Sequence, residues 1–261
     1  MPASELIKKT YRPSMQVGQV YARPYGSAQA LAEIGNVLEL TLEHSEDVKT
    51  QMDMTKMGGG VHAEVRRVQE VNLGMKLADL NITNLMRATY GSTKGVDSGS
   101  VSEPEGFDAV LGGLLVLAHK VPSGVLVKKG PTSPGATEVT MAGNYVVRPE
   151  GIYILSDAAD IAPAEKLWIT YNYADQVEIE ALTTKAVELE LVFGGLNEAD
   201  GGSPCVLEVF RCSQSIAKQL SFIQDNFGAL DVSGSVLKDA NRVGMGLSQY
   251  YRQTVAAAPA V

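Results

Sequence analysis

Apolar and polar residues alternate with a period of two along much of this chain. In KAVELELVFGG, residues 185–195, Val187, Leu189, Leu191 and Phe193 share one parity, and Glu188 and Glu190 the other. Successive side chains of a strand point to opposite faces, so the stretch predicts a strand with one oily and one acidic face. IGNVLELTLEH repeats the device, with Leu38, Leu40 and Leu42 against Glu39, Thr41 and Glu43. EVNLGMKLADL sets Val71, Leu73, Met75 and Leu77 on one side, and LWITYNY does the same with Leu167, Ile169, Tyr171 and Tyr173. VEIEAL, CVLEVFRCS and FGALDVSGSVLKD read as further strands. NYVVRPEGIYIL predicts a hairpin, because Pro149 suits the second position of a type I turn and Gly151 the fourth. Two stretches have helical character. NLMRATYG predicts a short helix capped by Asn81 or Thr83 and closed by Gly91. QSIAKQLSFIQDN, residues 214–226, places Ile216, Leu220 and Ile223 at helical spacing.

The interruptions divide the chain. Residues 45–63 carry Met52, Met54, Lys56 and Met57 before Gly58, Gly59 and Gly60, and predict a long hairpin loop. A loop of that length in a folded domain is usually functional or mobile, and exposed methionine is adaptable contact surface. Residues 92–106, rich in Gly, Ser, Glu and Pro, read as a linker into an insertion. The expected organisation is a core in two parts, 1–100 and 178–261, with a small all-β domain at 101–177. Residues 1–30 read as an arm or edge strand, and 243–261 as a tail.

The chain has 261 residues, of which 45% are hydrophobic, enough for a sizeable core. The formal net charge of −8 argues against a protein that wraps nucleic acid with a basic patch. Cys205 and Cys212 lie on one predicted strand, roughly 23 Å apart at the usual rise, too far for an internal disulfide. The N-terminus lacks the apolar region of a signal peptide, and the longest oily run, residues 109–118, is too short to span a bilayer as a helix. A soluble product is expected. His44, His62 and His119 are scattered, no Cys/His set has zinc spacing, and the triple glycine lacks the Lys-Ser/Thr of a phosphate loop. No enzyme, cofactor or metal is expected.

The remaining chemistry is in the polar-parity carboxylates Glu39, Glu43, Glu178, Glu180, Glu188 and Glu190. Ionised carboxylates cost several kcal/mol each to bury, on the order of the penalty for any lone charge, so these faces stay wet. They are either the solvated outside of a half-exposed sheet or the wall of a water-filled channel. Periodicity does not choose between the two.

The order of motifs resembles the major tail tube protein of long-tailed bacteriophages over about residues 20–240. The shared sequence of features is IGNVLELTLEH, the Gly-ended loop and VNLGMKLADLNITNLMRATYG, then NYVVRPEGIYIL and LWITYNY, then ELELVFGGLNEADGG, the helix and DNFGALDVSGSVLKD. The resemblance implies a β-sandwich or barrel-like core with a flanking α-helix, a long hairpin loop and an inserted small β domain facing outward. It implies homohexameric rings stacked into a hollow tube in the virion tail, with tape-measure and tail terminator or tip proteins as partners. DNA would pass through without specific binding, and the six glutamates would line the bore. DNA carries one negative charge per ~1.7 Å of axis, so an acidic bore repels it from every side. The 45–63 loop and the arms at 1–20 and 243–261 would reach neighbouring subunits. Two alternatives stand beside this: a monomeric β-sandwich that binds ligands or adheres, and a type VI secretion-like tube protein.

Overall fold

A computed structural model describes residues 3–256. The chain is mainly β, with 51% of it in strands and 5% in helices, arranged in several sheets. It begins with helix α1 (Ala3–Lys8), followed by β1 (Gln16–Pro24), β2 (Ala32–Glu33), β3 (Val37–Met52), β4 (Val61–Leu77) and α2 (Ile82–Ala88). Next come β5 (Ser92–Val96), β6 (Gly99–Asp108), β7 (Leu114–Val116), β8 (Ser123–Lys129), β9 (Thr137–Val139), β10 (Tyr145–Arg148), β11 (Gly151–Ile154), β12 (Lys166–Tyr173) and β13 (Gln176–Glu180). The last strands are β14 (Glu188–Asn197), β15 (Ser203–Gln214), β16 (Leu230–Val236) and β17 (Tyr251–Val255).

Contacts divide the chain into two units, one of residues 1–92 and 179–261, the other of Thr93–Glu178. The first unit is built on an eight-stranded sheet in the order β2-β1-β14-β15-β16-β4-β3, with β17 pairing β15. Its core draws Val20 and Ala22 from β1, Val71 and Leu73 from β4, Leu189 and Leu191 from β14, and Leu230 and Val232 from β16. Leu40 and Leu42 of β3 pack against this cluster. The alternation expected for these strands is therefore the alternation between core and solvent. Leu38 departs from it: the β3–β4 register shifts between Val37 and Glu39, and Leu38 is 58% exposed while Val37 packs inward. A second bulge, on β15 opposite Glu190, lets both Val209 and Cys212 face the core although their parities differ. Cys205 and Cys212 are buried free thiols, and burial pushes the Cys212 thiol up to about 12.

The second unit has its own core, in which Leu117, Val127, Ile152, Ile154, Leu167 and Ile169 are almost completely buried. β6, β12, β8 and β9 form one sheet and β10, β11 and β7 another. Arg148 pairs with Gly151 across the β10–β11 turn, with Pro149 and Glu150 at its tip. Gly151 has φ 154°, and a Cβ there would lie 2.0 Å from the Leu115 carbonyl oxygen of β7, so only glycine lets the two strands approach. Leu167, Ile169 and Tyr171 are buried in sequence along β12, as their parity requires. Trp168, on the opposite face, lies across Gly106 and donates from Nε1 to the Gly130 carbonyl at 3.0 Å.

Five sequence expectations are corrected. Within residues 1–30, expected to be an arm or edge strand rather than core, β1 is paired on both sides, by β14 and β2, and buries Val20 and Ala22 in the core. Residues 45–63 are mostly strand: β3 and β4 remain paired out to Met52 and Val61, leaving a loop of 53–60. Their alternation is obscured because neither face of this part meets the core, so no parity has to be apolar. Residues 92–106 are strand β5 and most of β6 rather than linker, and β6 gains its stability from pairing with β12. Residues 214–226 form no helix beyond the end of β15. Ser215 N–H donates to the Ser233 carbonyl and Ala217 N–H to the Ala88 carbonyl, while Phe222 is 87% exposed. An isolated helix of this length is marginal in water, and too little of its apolar stripe is packed to sustain it. The helix that does flank the core is α2. Asn81 Oδ1 accepts from Asn84 N–H at 2.8 Å, which caps it, and Ala88 is fully buried. The expected tail at 243–261 contains β17, and its last residues, 257–261, lie outside the described part, as do residues 1 and 2 of the expected arm.

Candidate functional site

Two features of the first unit bear on function: the face of the sheet turned away from the core, and the far end of the β3–β4 hairpin. Glu39 and Glu43 of β3 and Glu188 and Glu190 of β14 all lie on that non-core face, since their neighbours Leu40, Leu42, Leu189 and Leu191 pack inward. They are not brought together. β15, β16 and β4 separate the two strands in the sheet.

The two pairs also differ in electrostatics. Arg211, released from the ladder by the β15 bulge, forks onto Glu188: Nε donates to Oε2 and Nη2 to Oε1, both at 2.8 Å. This holds the Glu188 carboxyl below its ordinary range. Arg23, directly across from Glu190 on β1, donates from Nε to Oε2 at 2.6 Å. Arg252 of β17 pairs in the same manner with Glu208 of β15, and holds that carboxyl low as well. The β14 face is thus a ladder of alternating charge rather than an acidic wall. The arginines come from residues 23, 211 and 252, and strand parity alone does not reveal them. Arg211 in particular has the wrong parity to face Glu188 until the bulge turns it.

Glu39 and Glu43 have no ion-pair partner among the described residues; their cross-strand neighbours are Lys76 and Asn72. Glu178 and Glu180 lie on β13, which pairs with β5. Glu178 falls in the second unit, 3.7 Å from Lys94 Nζ, and Glu180 in the first. Of the six carboxylates expected in one wall, two on β3 have no ion-pair partner among the described residues, two on β14 are neutralised, and two lie on β13.

The hairpin is the more distinctive feature. β16 pairs with β4 only from Asn72 to Leu77, so beyond Val71 no other strand among the described residues pairs with the β3–β4 ribbon. From Glu46 to Met52 it runs on for roughly 20 Å at the usual strand rise. Its side chains are exposed and include Val48, Met52, Val61, Val65 and Val68. Arg66 bridges Glu46 and Glu64 on one side of it. At the tip, Asp53 Oδ1 accepts from Thr55 N–H and Oγ1, Met54 is 89% exposed and Met57 fully so. Lys56 and Gly58, Gly59 and Gly60 complete the tip, with Gly58 and Gly59 at positive φ. The methionine and glycine residues expected in a contact loop therefore sit at the end of a stalk.

The expected arms behave differently. Arg12 Nε lies 3.0 Å from Asp200 Oδ2, with Lys9 on the other oxygen, and Asn197 Nδ2 donates to the Pro13 carbonyl at 2.9 Å. These contacts hold residues 9–15 against the rest of the first unit. β17 is held likewise by β15.

Among the described residues no group of three or more His, Cys, Asp or Glu is placed to hold a metal ion, and no helix is long and apolar enough to cross a membrane. The profile of one protein family, described as Protein of unknown function UCP028589, matches residues 13–254. No curated protein matches the chain.

Proposed function

The chain belongs to that family of unknown function, and from its own geometry we propose that it is a structural subunit of a phage tail tube. In this reading the eight-stranded sheet is a β-sandwich or barrel-like tube core, and copies join as hexameric rings that stack into a hollow conduit for DNA. The protein acts by shape and charge, without catalysis, in the virion tail. Tape-measure and terminator or tip proteins are its other partners.

The observation that carries the reading is the bare β3–β4 ribbon. A two-stranded hairpin alone is marginally stable in water, and this one also exposes valine and methionine along its length. Docking against a neighbouring copy would bury that surface and order the ribbon. Such an interface joins different surfaces on the two copies, and contacts of that kind close into rings or extend as filaments. Glu39 and Glu43, unpaired, are the lumen candidates that the charge distribution favours. Glu188 and Glu190 would contribute little net repulsion beside their arginines.

Negative-stain microscopy of the purified protein at high concentration tests this. Sixfold rings or tubes with a central hole are expected. A particle that sediments as a monomer at every concentration overturns the assembly, and with it the tube.

A further inference from the structure

The first unit contains an open cleft of about 590 Å³ between β1, β3 and β17, with polar and apolar groups in similar share along its walls. Its apolar part is formed by Val17, Val20, Leu40, Leu42, Phe193 and Leu207, and the exposed Leu38 and Glu39 also line it. Among the described residues that line it, Glu39 is the one that carries a charge. A small-molecule site of this size normally has a few convergent polar groups fixed in a dry pocket. Here the polar residues are Gln16, Asn36, Glu39, Tyr251 and Gln253, and all five are exposed or half-exposed rather than fixed in a dry pocket. The cleft suits an apolar side chain that arrives with a positive charge beside it.

The same unit carries such a group. The hairpin tip presents Met54 and Met57, both almost fully exposed, around Lys56. Asp53, the one acidic residue of the tip, is already engaged by Thr55. Methionine is unbranched and fills irregular cavities without demanding a fixed shape. A subunit is unable to fill its own cleft in this manner. β3 leaves the cleft at Leu42 and stays paired with β4 to Met52, which holds the tip roughly 30 Å away at the usual strand rise.

We infer that the cleft between β1, β3 and β17 receives the Met54–Met57 tip of the hairpin from a second copy of this chain, with Lys56 meeting Glu39 at the rim. The inference rests on the assembly reading above and names the surface that receives the hairpin. It assigns Glu39 to the interface and leaves Glu43 as the β3 carboxylate on the conduit. Knob and hole are different surfaces, so each bound copy still offers one free tip and one free cleft, as continued growth requires.

The test uses full-length chains. One variant, M54D/M57D, spoils the tip; another, L38R, spoils the cleft rim. Both changes fall on exposed side chains, so melting temperatures should match the parent. Each variant alone should sediment as a monomer under conditions where the parent assembles. Mixed, they should stop at a heterodimer, the intact tip of one in the intact cleft of the other. In a second arm, M54C mixed with L38C should give an intersubunit disulfide on a non-reducing gel. Assembly of M54D/M57D to the parental extent overturns the inference, as does absence of the disulfide from a mixture that assembles. In both cases the assembly reading survives. A parent that never assembles sinks both.

Discussion

At the residue scale, the main lesson is that a carboxylate is defined by what faces it. Glu188 and Glu190 share a strand and a parity, yet their charges are answered by Arg211 and Arg23. The depressed pKa of Glu188 makes its pair a pH-dependent contribution. A carboxyl held low in the folded state lends stability that is fully present above its ordinary pKa, near ~4.3. That stability is lost as pH falls through the lower folded value. The pair is half-exposed, so the effect is modest and screened by salt. R211A should therefore lower the melting temperature at pH 7 and reduce the further drop between pH 5 and 3 relative to the parent. Parallel melting curves for the two proteins across that range would show that the fork contributes nothing. Cys212 illustrates the same dependence on surroundings. Buried, and with its thiol pushed up to about 12, it remains a protonated core residue at neutral pH.

At the scale of elements, the strands with one buried face were readable from the chain. The parity of Leu189 and Leu191, of Leu73 and Leu77 and of Leu167 and Ile169 is enforced by burial, and burial leaves a period-two signature. The turn at Pro149 and the cap at Asn81 were readable for a local reason, since each depends on residues within a turn of itself. Elements whose stability comes from elsewhere left no such trace. The outer half of the β3–β4 ribbon has no core to alternate against, and β6 carries Gly, Ser, Glu and Pro because β12 supplies its ladder. The opposite failure occurred at residues 214–226, where helical spacing is present but the packing that would make it a helix is not. The candidate site was half legible: its methionines and glycines were visible, but not the stalk that presents them, nor the arginines that neutralise β14. A consequence can be measured on the ribbon itself. Replacing residues 48–66 with an Asn-Gly turn joins Asp47 to Arg67, which already face each other across the strands. The shortened protein should melt within a few degrees of the parent, because nothing removed touches the core, and should remain monomeric by sedimentation. Tubes from it would show that the ribbon is dispensable for assembly.

At the scale of the whole molecule, the chain folds as two bodies with separate cores, and the second is an insertion within the first. Its core is closed within residues 93–178, which predicts that this fragment folds alone. Expressed by itself it should give a cooperative thermal transition and dispersed amide resonances. In the fragment L167A, which empties a fully buried site, should cost about 2–5 kcal/mol. A collapsed fragment without a cooperative transition would mean that the second unit depends on the first.

The way this insertion begins and ends has a practical consequence. Its strands β6 and β12 pair along their length, with Gly99 opposite Tyr173, so the points where the chain enters and leaves it are adjacent. A domain whose ends meet can be cut out and exchanged for another with the same property. The host sheet would then act as a socket, and a scaffold repeating that socket would display a chosen cargo at a fixed spacing.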